Sequence, residues 1–159
     1  MIKNDIDVTK IPVVMELIER AAELMEEKDC HSDKDAKWKL EELQRELREI
    51  SGNKKLQVKD FKRYWSYTNL KTMAEKALMT PPTKSELTDA QIKEIVLNIM
   101  NHSEAEMDWW LLYLKINTGL DNLTDYIFYP ELVGLNLPNT LELSDMLAQV
   151  ADKIIADRH

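Results

Sequence analysis

Apolar residues recur at intervals of three and four along almost the whole chain, and no stretch alternates as a strand does. Such intervals place side chains on one face of an α-helix. The 159 residues include only three glycines, too few for the many tight turns of an all-β protein. The sequence therefore predicts an all-α fold, with length for one domain or two small ones.

Three helices are predicted before residue 80. The first spans 13–28 after Pro12, which suits a helix start; the second is capped by Ser32 or Asp33, runs to Ile50 and is closed by Gly52. The third spans about 58–79. The predicted inward residues are Val14, Leu17, Ile18, Ala21, Leu24 and Met25, then Ala36, Leu40, Leu43, Leu47 and Ile50, then Phe61, Tyr64, Trp65, Leu70, Met73 and Ala77.

The second of these helices has a coiled-coil-like seam, since its apolar residues step by four, three, four and three. The seam could close a three-helix bundle within the chain, form a homodimer, or widen a partner interface. Because three helices of matching length are predicted, an intrachain N-terminal three-helix bundle is the preferred interpretation.

Pro81-Pro82 marks the clearest boundary in the chain, because two prolines stop a helix and stiffen the connection. We expect a helical N-terminal domain at 1–80, a linker at 81–86 and a second domain at 87–159. In the second domain, capping boxes at 88–91 and 103–106 open two helices, and a last helix is predicted from near Asn139. The predicted inward residues of this half are Ile92, Ile95, Val96, Ile99, Met100, Met107, Trp110, Leu111, Leu114, Leu143, Met146, Leu147, Val150 and Ile154.

The segment 124–130 (Thr-Asp-Tyr-Ile-Phe-Tyr-Pro) concentrates three aromatic rings in four residues before a proline. Such a segment either plugs a core or presents its rings to a partner, and aromatic side chains are favoured at binding hot spots. Its position in the half with all the net charge favours presentation.

Charge is divided unevenly between the two halves. From Lys84 to His159 there are thirteen acidic and five basic residues, which gives the net charge of −8 of the whole chain. Residues 1–83 hold sixteen of each sign and balance to zero. An acidic second half is unsuited to nucleic acid and suited to a basic protein, although acidity that serves only solubility is an equal alternative from charge alone.

Several other function classes find little support. The single cysteine, Cys30, excludes an internal disulfide and fits a reducing cytoplasm, and no apolar run is long enough for a membrane span or a signal peptide. His31, His102 and His159 have no spacing that suggests a catalytic triad, a metal site or a cofactor site. We therefore expect a cytoplasmic protein that is not an enzyme and takes no cofactor or metal.

The part of the chain from Leu87 onward resembles the colicin and pyocin nuclease immunity proteins, four-helix inhibitors of bacterial DNase toxins. The resemblance lies in the helix openings at 87–92 and 104–107 and in the apolar residues Trp110, Leu111 and Leu114. It lies above all in 125–130, which matches the family's Asp-x-Ile-Tyr-Tyr-Pro signature with Phe128 in place of the first tyrosine. Residues 1–83 lie outside the resemblance.

The resemblance implies a four-helix bundle with a short third helix, which binds the basic nuclease domain of a cognate toxin beside its cleft. It implies a shared anchor made of Asp125, Phe128 and Tyr129, with Tyr126 and Ile127 turned toward the core. It also implies a specificity face on the second helix of that bundle, made of Glu104, Met107, Asp108, Leu111 and Lys115.

Four residues on or near these surfaces lead to specific expectations. Phe128 lacks the hydroxyl of a tyrosine, so one interfacial hydrogen bond of about 1 kcal/mol is missing or replaced. Lys115 suggests an acidic group on the partner. Trp110 is predicted to be core, whereas Trp109 is either an extra hot spot or packs against the N-terminal helices.

The main alternative is a non-enzymatic helical adaptor or regulatory protein, in which the aromatic segment is structural and packs the two halves together. This alternative expects Tyr129 to be buried within the chain. The immunity hypothesis expects its ring to be available to a partner.

Overall fold

A computed structural model describes residues 6–66 and 68–159. These residues form α-helices, 3-10 helices and connecting segments with no strand, which confirms the all-α prediction. The chain divides into two compact units, the first ending at Thr80 and the second running from Pro81 to His159. Among the described residues, no helix combines the length and the apolar character needed to cross a membrane.

The described part of the first unit contains helices α1 (Ile11–Glu27), α2 (Lys34–Ser51) and α3 (Leu70–Leu78), and α1 packs against both of the others. The Asp33 carboxylate caps α2 by accepting a 3.0 Å hydrogen bond from the backbone N–H of Ala36. Gly52 closes α2 in the left-handed conformation, as the sequence predicts. Buried residues of this core include Val14, Leu17, Ile18, Ala21, Leu43, Leu47, Phe61, Met73 and Ala74.

The prediction of one continuous helix over 58–79 is wrong. The segment forms 3-10 turns at Val58–Phe61 and Tyr64–Ser66 before α3 begins. Arg63 between the turns has a φ of 55°, a left-handed conformation that breaks helical propagation. The Asn69 side chain then caps α3 by accepting from the N–H of Thr72 at 2.8 Å. The break also turns Trp65 outward, to 49% exposure, against its predicted place in the core.

The second unit contains α4 (Asp89–Asn98), α5 (Glu104–Thr118), α6 (Leu123–Phe128) and α7 (Leu143–Asp157). Helix α4 packs along α7, while α6 contacts both α5 and α7. The predicted capping box at the start of α4 is complete, since the Thr88 and Gln91 side chains each accept from the other residue's backbone N–H. Buried residues of this core include Ile92, Val96, Ile99, Leu114, Leu123, Leu147, Val150, Ala151 and Ile154.

The prediction that the last helix begins near Asn139 is wrong, because α7 starts at Leu143. A 3-10 helix at Pro130–Val133 and a turn in which Leu141 N–H donates to the carbonyl of Pro138 occupy the preceding stretch. Since Leu143 is the first residue of α7, it lies outside the buried stripe and is 52% exposed, which corrects its predicted burial.

Ser103 caps the start of α5, at the position where the sequence predicts a cap. The Ser103 hydroxyl accepts from the backbone N–H of Glu106 at 3.3 Å. The Glu106 carboxylate also lies 2.9 Å from Nδ1 of His102. The first turn of α5 therefore has a side-chain cap and a contact between Glu106 and His102.

The segment 81–86, predicted as a linker, has no helix and is attached to α5. The backbone N–H of Ser85 donates to the side chain of Asn117 at 2.6 Å, and the Ser85 hydroxyl lies 2.5 Å from that of Tyr113. These bonds make this segment part of the second unit.

The last two residues bind to two helices of the second unit through their side-chain and backbone groups. The Arg158 guanidinium forms a 2.8 Å salt bridge with Asp89 at the start of α4, and it donates to the carbonyl of Leu87 at 3.2 Å. The backbone N–H of His159 donates to the carbonyl of Thr118 at 2.9 Å. The chain end therefore secures both the first turn of α4 and the last turn of α5.

Candidate partner-binding surface

The aromatic segment forms a short helix with two different sides. Gly119 ends α5 in the left-handed conformation, and α6 follows with six residues. Tyr126 and Ile127 are buried at 5% and 1% exposure, as predicted, whereas Phe128 and Tyr129 stay 40% and 55% exposed. The segment therefore both fills the core and presents rings at the surface.

Tyr126 fixes α6 to the last helix. Its hydroxyl donates a 2.7 Å hydrogen bond to the carboxylate of Asp157, which also forms a salt bridge of 3.2 Å with Lys153. Burial, followed by this hydrogen bond, raises the pKa of the Tyr126 phenol to about 12. The same hydrogen bond lowers the pKa of the Asp157 carboxyl. Phe128 and Tyr129 therefore follow a residue that is hydrogen-bonded to α7.

Leu132 extends the exposed apolar surface beyond the predicted residues. It is 67% exposed and lies in the 3-10 helix that Pro130 opens. Its N–H donates to the carbonyl of Tyr129 at 2.8 Å, which holds the two residues in one turn. The sequence signal for Leu132 is the proline itself, because Pro130 starts a new helical turn immediately after the rings.

Acidic groups accompany the exposed rings. Asp125 is half-buried in α6, and its carbonyl accepts from the N–H of Tyr129 at 2.9 Å. Glu131 is exposed between Pro130 and Leu132. We name the set of Asp125, Phe128, Tyr129, Glu131 and Leu132 the aromatic surface.

The predicted face of α5 is only partly available. Glu104, Asp108 and Lys115 are exposed, whereas Met107 and Leu111 are half-buried and pack against the core of the second unit. Spacings of four and seven residues place the exposed members along one side of the helix. The two apolar members therefore contribute mainly to packing.

Two neighbouring residues change the interpretation of the α5 face. Leu112, which the sequence analysis did not select, is 45% exposed, one turn beyond Asp108. Lys115 forms a 3.6 Å salt bridge with Asp121 of its own unit, so its charge already has an acidic neighbour. An acidic group on a partner is not needed to explain it.

The two adjacent tryptophans are buried to different degrees. Trp109 is buried at 9% exposure and stacks on Tyr113, with centroids 5.4 Å apart, because it lies on the α5 face that also buries Ala105. Trp110, predicted as core, is half-buried, packs against the core of the second unit and stacks on His102 at 5.8 Å. Its indole Nε1 is buried and has no hydrogen-bond partner among the described residues. Trp109 is therefore not an exposed hot spot.

A metal centre and a reactive thiol are two other kinds of site to consider in the part of the chain that the structure describes. Within the described ranges, no group of three or more His, Cys, Asp or Glu side chains could hold a metal ion. Burial, followed by the charge of Asp29, raises the pKa of the half-buried Cys30 thiol, which disfavours the nucleophilic thiolate. The aromatic surface and the exposed part of α5 are accordingly the leading candidates for function.

Comparisons of this chain with protein-family models, with curated proteins and with solved structures found no match. Its candidate site is therefore argued from its own residues and from the motif at 125–130.

Proposed function

We propose that this chain is a bacteriocin-type immunity protein. In this proposal it binds the basic nuclease domain of a cognate bacterial toxin beside its active site and blocks access of nucleic acid. The observation that carries the proposal is the exposure of Phe128 and Tyr129 on a helix whose neighbours Tyr126 and Ile127 are buried. Rings held on a fixed support lose little conformational freedom on binding, so more of their contact energy becomes affinity.

The same proposal assigns the helices of the chain to two bundles. Helices α1, α2 and α3 form an N-terminal three-helix bundle, and α4 to α7 form an immunity-like four-helix bundle with α6 as its short third helix. The six-residue length of α6 and its position between α5 and α7 support this assignment.

Charge supports a basic partner. The eight negative charges in excess all lie from Lys84 onward, in the half of the chain with the exposed rings. Glu104, Asp108 and Glu131 are exposed there. Opposite charges speed encounter, whereas buried rings slow dissociation, so the acidic residues set mainly the association rate and the rings mainly the dissociation rate.

The structure revises which α5 residues belong in the proposed interface. Glu104 and Asp108 remain because both are exposed, and Leu112 is added for the same reason. Met107 and Leu111 act through the packing of α5. In the proposal, Phe128, Tyr129 and Leu132 form the apolar centre, and the carboxylates form its rim.

The adaptor alternative expects a buried Tyr129, and its 55% exposure favours presentation to a partner. The buried residues of the segment, Tyr126 and Ile127, pack in the core of the second unit itself. The proposal requires no catalysis, cofactor or metal in this chain.

The decisive experiment is co-expression with the candidate toxin. The product of the adjacent upstream gene, where it ends in an HNH-type nuclease motif, is expressed with the wild-type chain or with Phe128→Ala or Tyr129→Ala. Wild type should protect the cells and bind the isolated nuclease domain one to one. Each ring variant should weaken binding by at least about tenfold, as truncated hot-spot residues do.

Leu143→Ala is the matched control, because Leu143 is similarly exposed at 52% in the same unit but lies outside the proposed interface. It should bind as wild type does. Unchanged binding of both ring variants would refute the proposed site, and failure of the wild type to bind or protect would refute the function.

A further inference from the structure

The first unit contains an open groove of about 480 Å³ between α1 and α2. Half-buried Leu24 of α1 and buried Leu43 of α2 supply its apolar side chains. The residues that α1 contributes are spaced by three and four, as are the main positions on α2, so the groove follows both helices. We call this feature the α1–α2 groove.

Trp38 lines the groove and is the most exposed aromatic side chain of the described residues, at 61%. An indole has a large apolar surface, and its face attracts Lys and Arg side chains. Because Leu43 and Leu47 already turn the buried stripe of α2 toward the core, packing within the unit does not use the ring. Trp38 is therefore available to a partner that has both apolar and cationic side chains.

Carboxylates flank the apolar residues on both helices. Glu23 and Glu27 are four residues apart on α1, and Glu42 and Glu46 are four apart on α2. Like charges at this spacing slightly destabilise a helix, so helix stability does not explain the pattern. A cationic partner seated in the groove would relieve the repulsion.

The cations at the groove do not balance these carboxylates. Arg20 and Lys39 also line the groove, but Lys39 forms a 3.0 Å salt bridge with Asp35 outside it. Glu42 is paired with Arg45 at 2.9 Å. Within residues 6–66, no salt bridge reaches Glu23, Glu27 or Glu46, which leaves the groove with an excess of negative charge.

We infer that the α1–α2 groove binds a basic amphipathic helix of a protein partner. Apolar side chains of that helix would lie on Leu24, Leu43 and Trp38, and its flanking Arg or Lys side chains would reach the carboxylates. An amphipathic helix laid into an apolar groove is a recurrent mode of recognition, and charge complementarity determines the sign of the partner here. The inference is independent of the proposed function, because all of its residues lie in the first unit.

The test uses the full-length chain and two synthetic peptides of about 18 residues, long enough to form a helix. One peptide has leucines on one face and arginines on its flanks, and the other has glutamates in place of the arginines. Isothermal titration should detect binding of the basic peptide only. Its affinity should fall as salt is raised, because salt screens exposed charges.

Variants locate the binding site. Trp38→Ala should weaken binding by about tenfold, which corresponds to a hot-spot ring. The double change Glu23→Gln and Glu46→Gln should weaken it similarly and reduce its salt dependence. Two matched controls, Trp65→Ala and Glu41→Gln, remove an exposed ring and an exposed carboxylate that do not line the groove, and they should change affinity by less than about twofold.

Three results would overturn the inference. The first is no binding of the basic peptide, or equal losses in Trp38→Ala and Trp65→Ala. The second is self-association of the wild-type chain in sedimentation that Trp38→Ala abolishes, which would make a second copy the occupant. The third is a loss of peptide binding in Phe128→Ala or Tyr129→Ala, which would place the peptide on the aromatic surface instead.

Discussion

The hydroxyl of Tyr126 donates a 2.7 Å hydrogen bond to the carboxylate of Asp157, and this contact joins the aromatic helix to the last helix of the chain. The two residues are thirty-one positions apart. Their contact closes a long loop that contains Phe128, Tyr129, Glu131 and Leu132 of the aromatic surface. The Tyr126 side chain therefore contributes both to the stability of α6 and to the position of Phe128 and Tyr129 at the surface.

Tyr126→Phe is expected to lower the free energy of unfolding by about 1–2 kcal/mol, because it removes a hydrogen bond to a charged group while keeping the buried ring. Urea denaturation followed by circular dichroism measures the change. Tyr129→Phe is the control, since the Tyr129 ring is 55% exposed, and it should leave stability unchanged. Equal effects of the two variants would show that the Asp157 contact adds nothing.

Alkaline pH is expected to destabilise the second unit through Tyr126. The pKa of this phenol rises from 10.0 to about 12 on folding, so the folded state holds the proton more tightly than the unfolded state. The resulting stability is fully present below pH 10 and is lost as pH rises through about 12. The difference in unfolding free energy between wild type and Tyr126→Phe should therefore shrink over this interval, and a constant difference would contradict the prediction.

Gly119→Ala is expected to destabilise the second unit more than Gly134→Ala. Both glycines are left-handed, with φ of 74° and 87°, so each alanine costs about 1–2 kcal/mol in backbone strain. A Cβ at Gly119 would also lie 3.3 Å from the His159 side chain, whereas one at Gly134 meets nothing within 4 Å. Thermal unfolding compares the two variants.

Deletion of His159 provides the control for that comparison. In the shortened chain, Gly119→Ala and Gly134→Ala should have similar costs, because the side chain that crowds Gly119 is gone. An excess cost at Gly119 that persists after the deletion would rule out crowding by His159.

The N-terminal caps of α4 and α7 should respond in opposite ways. Thr88→Ala removes a cap that accepts from the N–H of Gln91 and should lower the free energy of unfolding by about 1 kcal/mol.

Glu142 is the N-cap residue of α7 and makes no side-chain hydrogen bond there, so Glu142→Ser should stabilise the second unit by about 0.5–1 kcal/mol. Urea denaturation measures both, and a loss of stability in Glu142→Ser would mean that the first turn of α7 does not accept a cap.

Local signals in the sequence were sufficient for the best-defined elements. Asp33 and Gly52 mark both ends of α2, and Thr88 with Gln91 marks the start of α4, because capping depends on residues a few positions apart. The burial of Tyr126 and the exposure of Tyr129 agree with the expectation drawn from the resemblance at 125–130.

Features that depend on tertiary contacts were not predicted from the sequence. The left-handed Arg63 has no sequence signal of the kind a glycine provides, so 58–79 appeared continuous. Helical spacing placed Trp110 in the core, whereas tertiary packing buries its neighbour Trp109 more deeply. Leu112 and Leu132 were missed because an exposed leucine has the same pattern as a core leucine until its neighbours are placed.

Residues in and just after α6 differ in how well they tolerate mutation, because some are buried and others are exposed. Changes at Tyr126 or Ile127 disturb the core, whereas Phe128, Tyr129 and Leu132 can be exchanged with less effect on folding because their side chains are exposed at 40%, 55% and 67%. Recognition can therefore diverge at these positions while the fold persists. A set of variants at the three positions, all equally stable, would be a direct source of altered partner specificity.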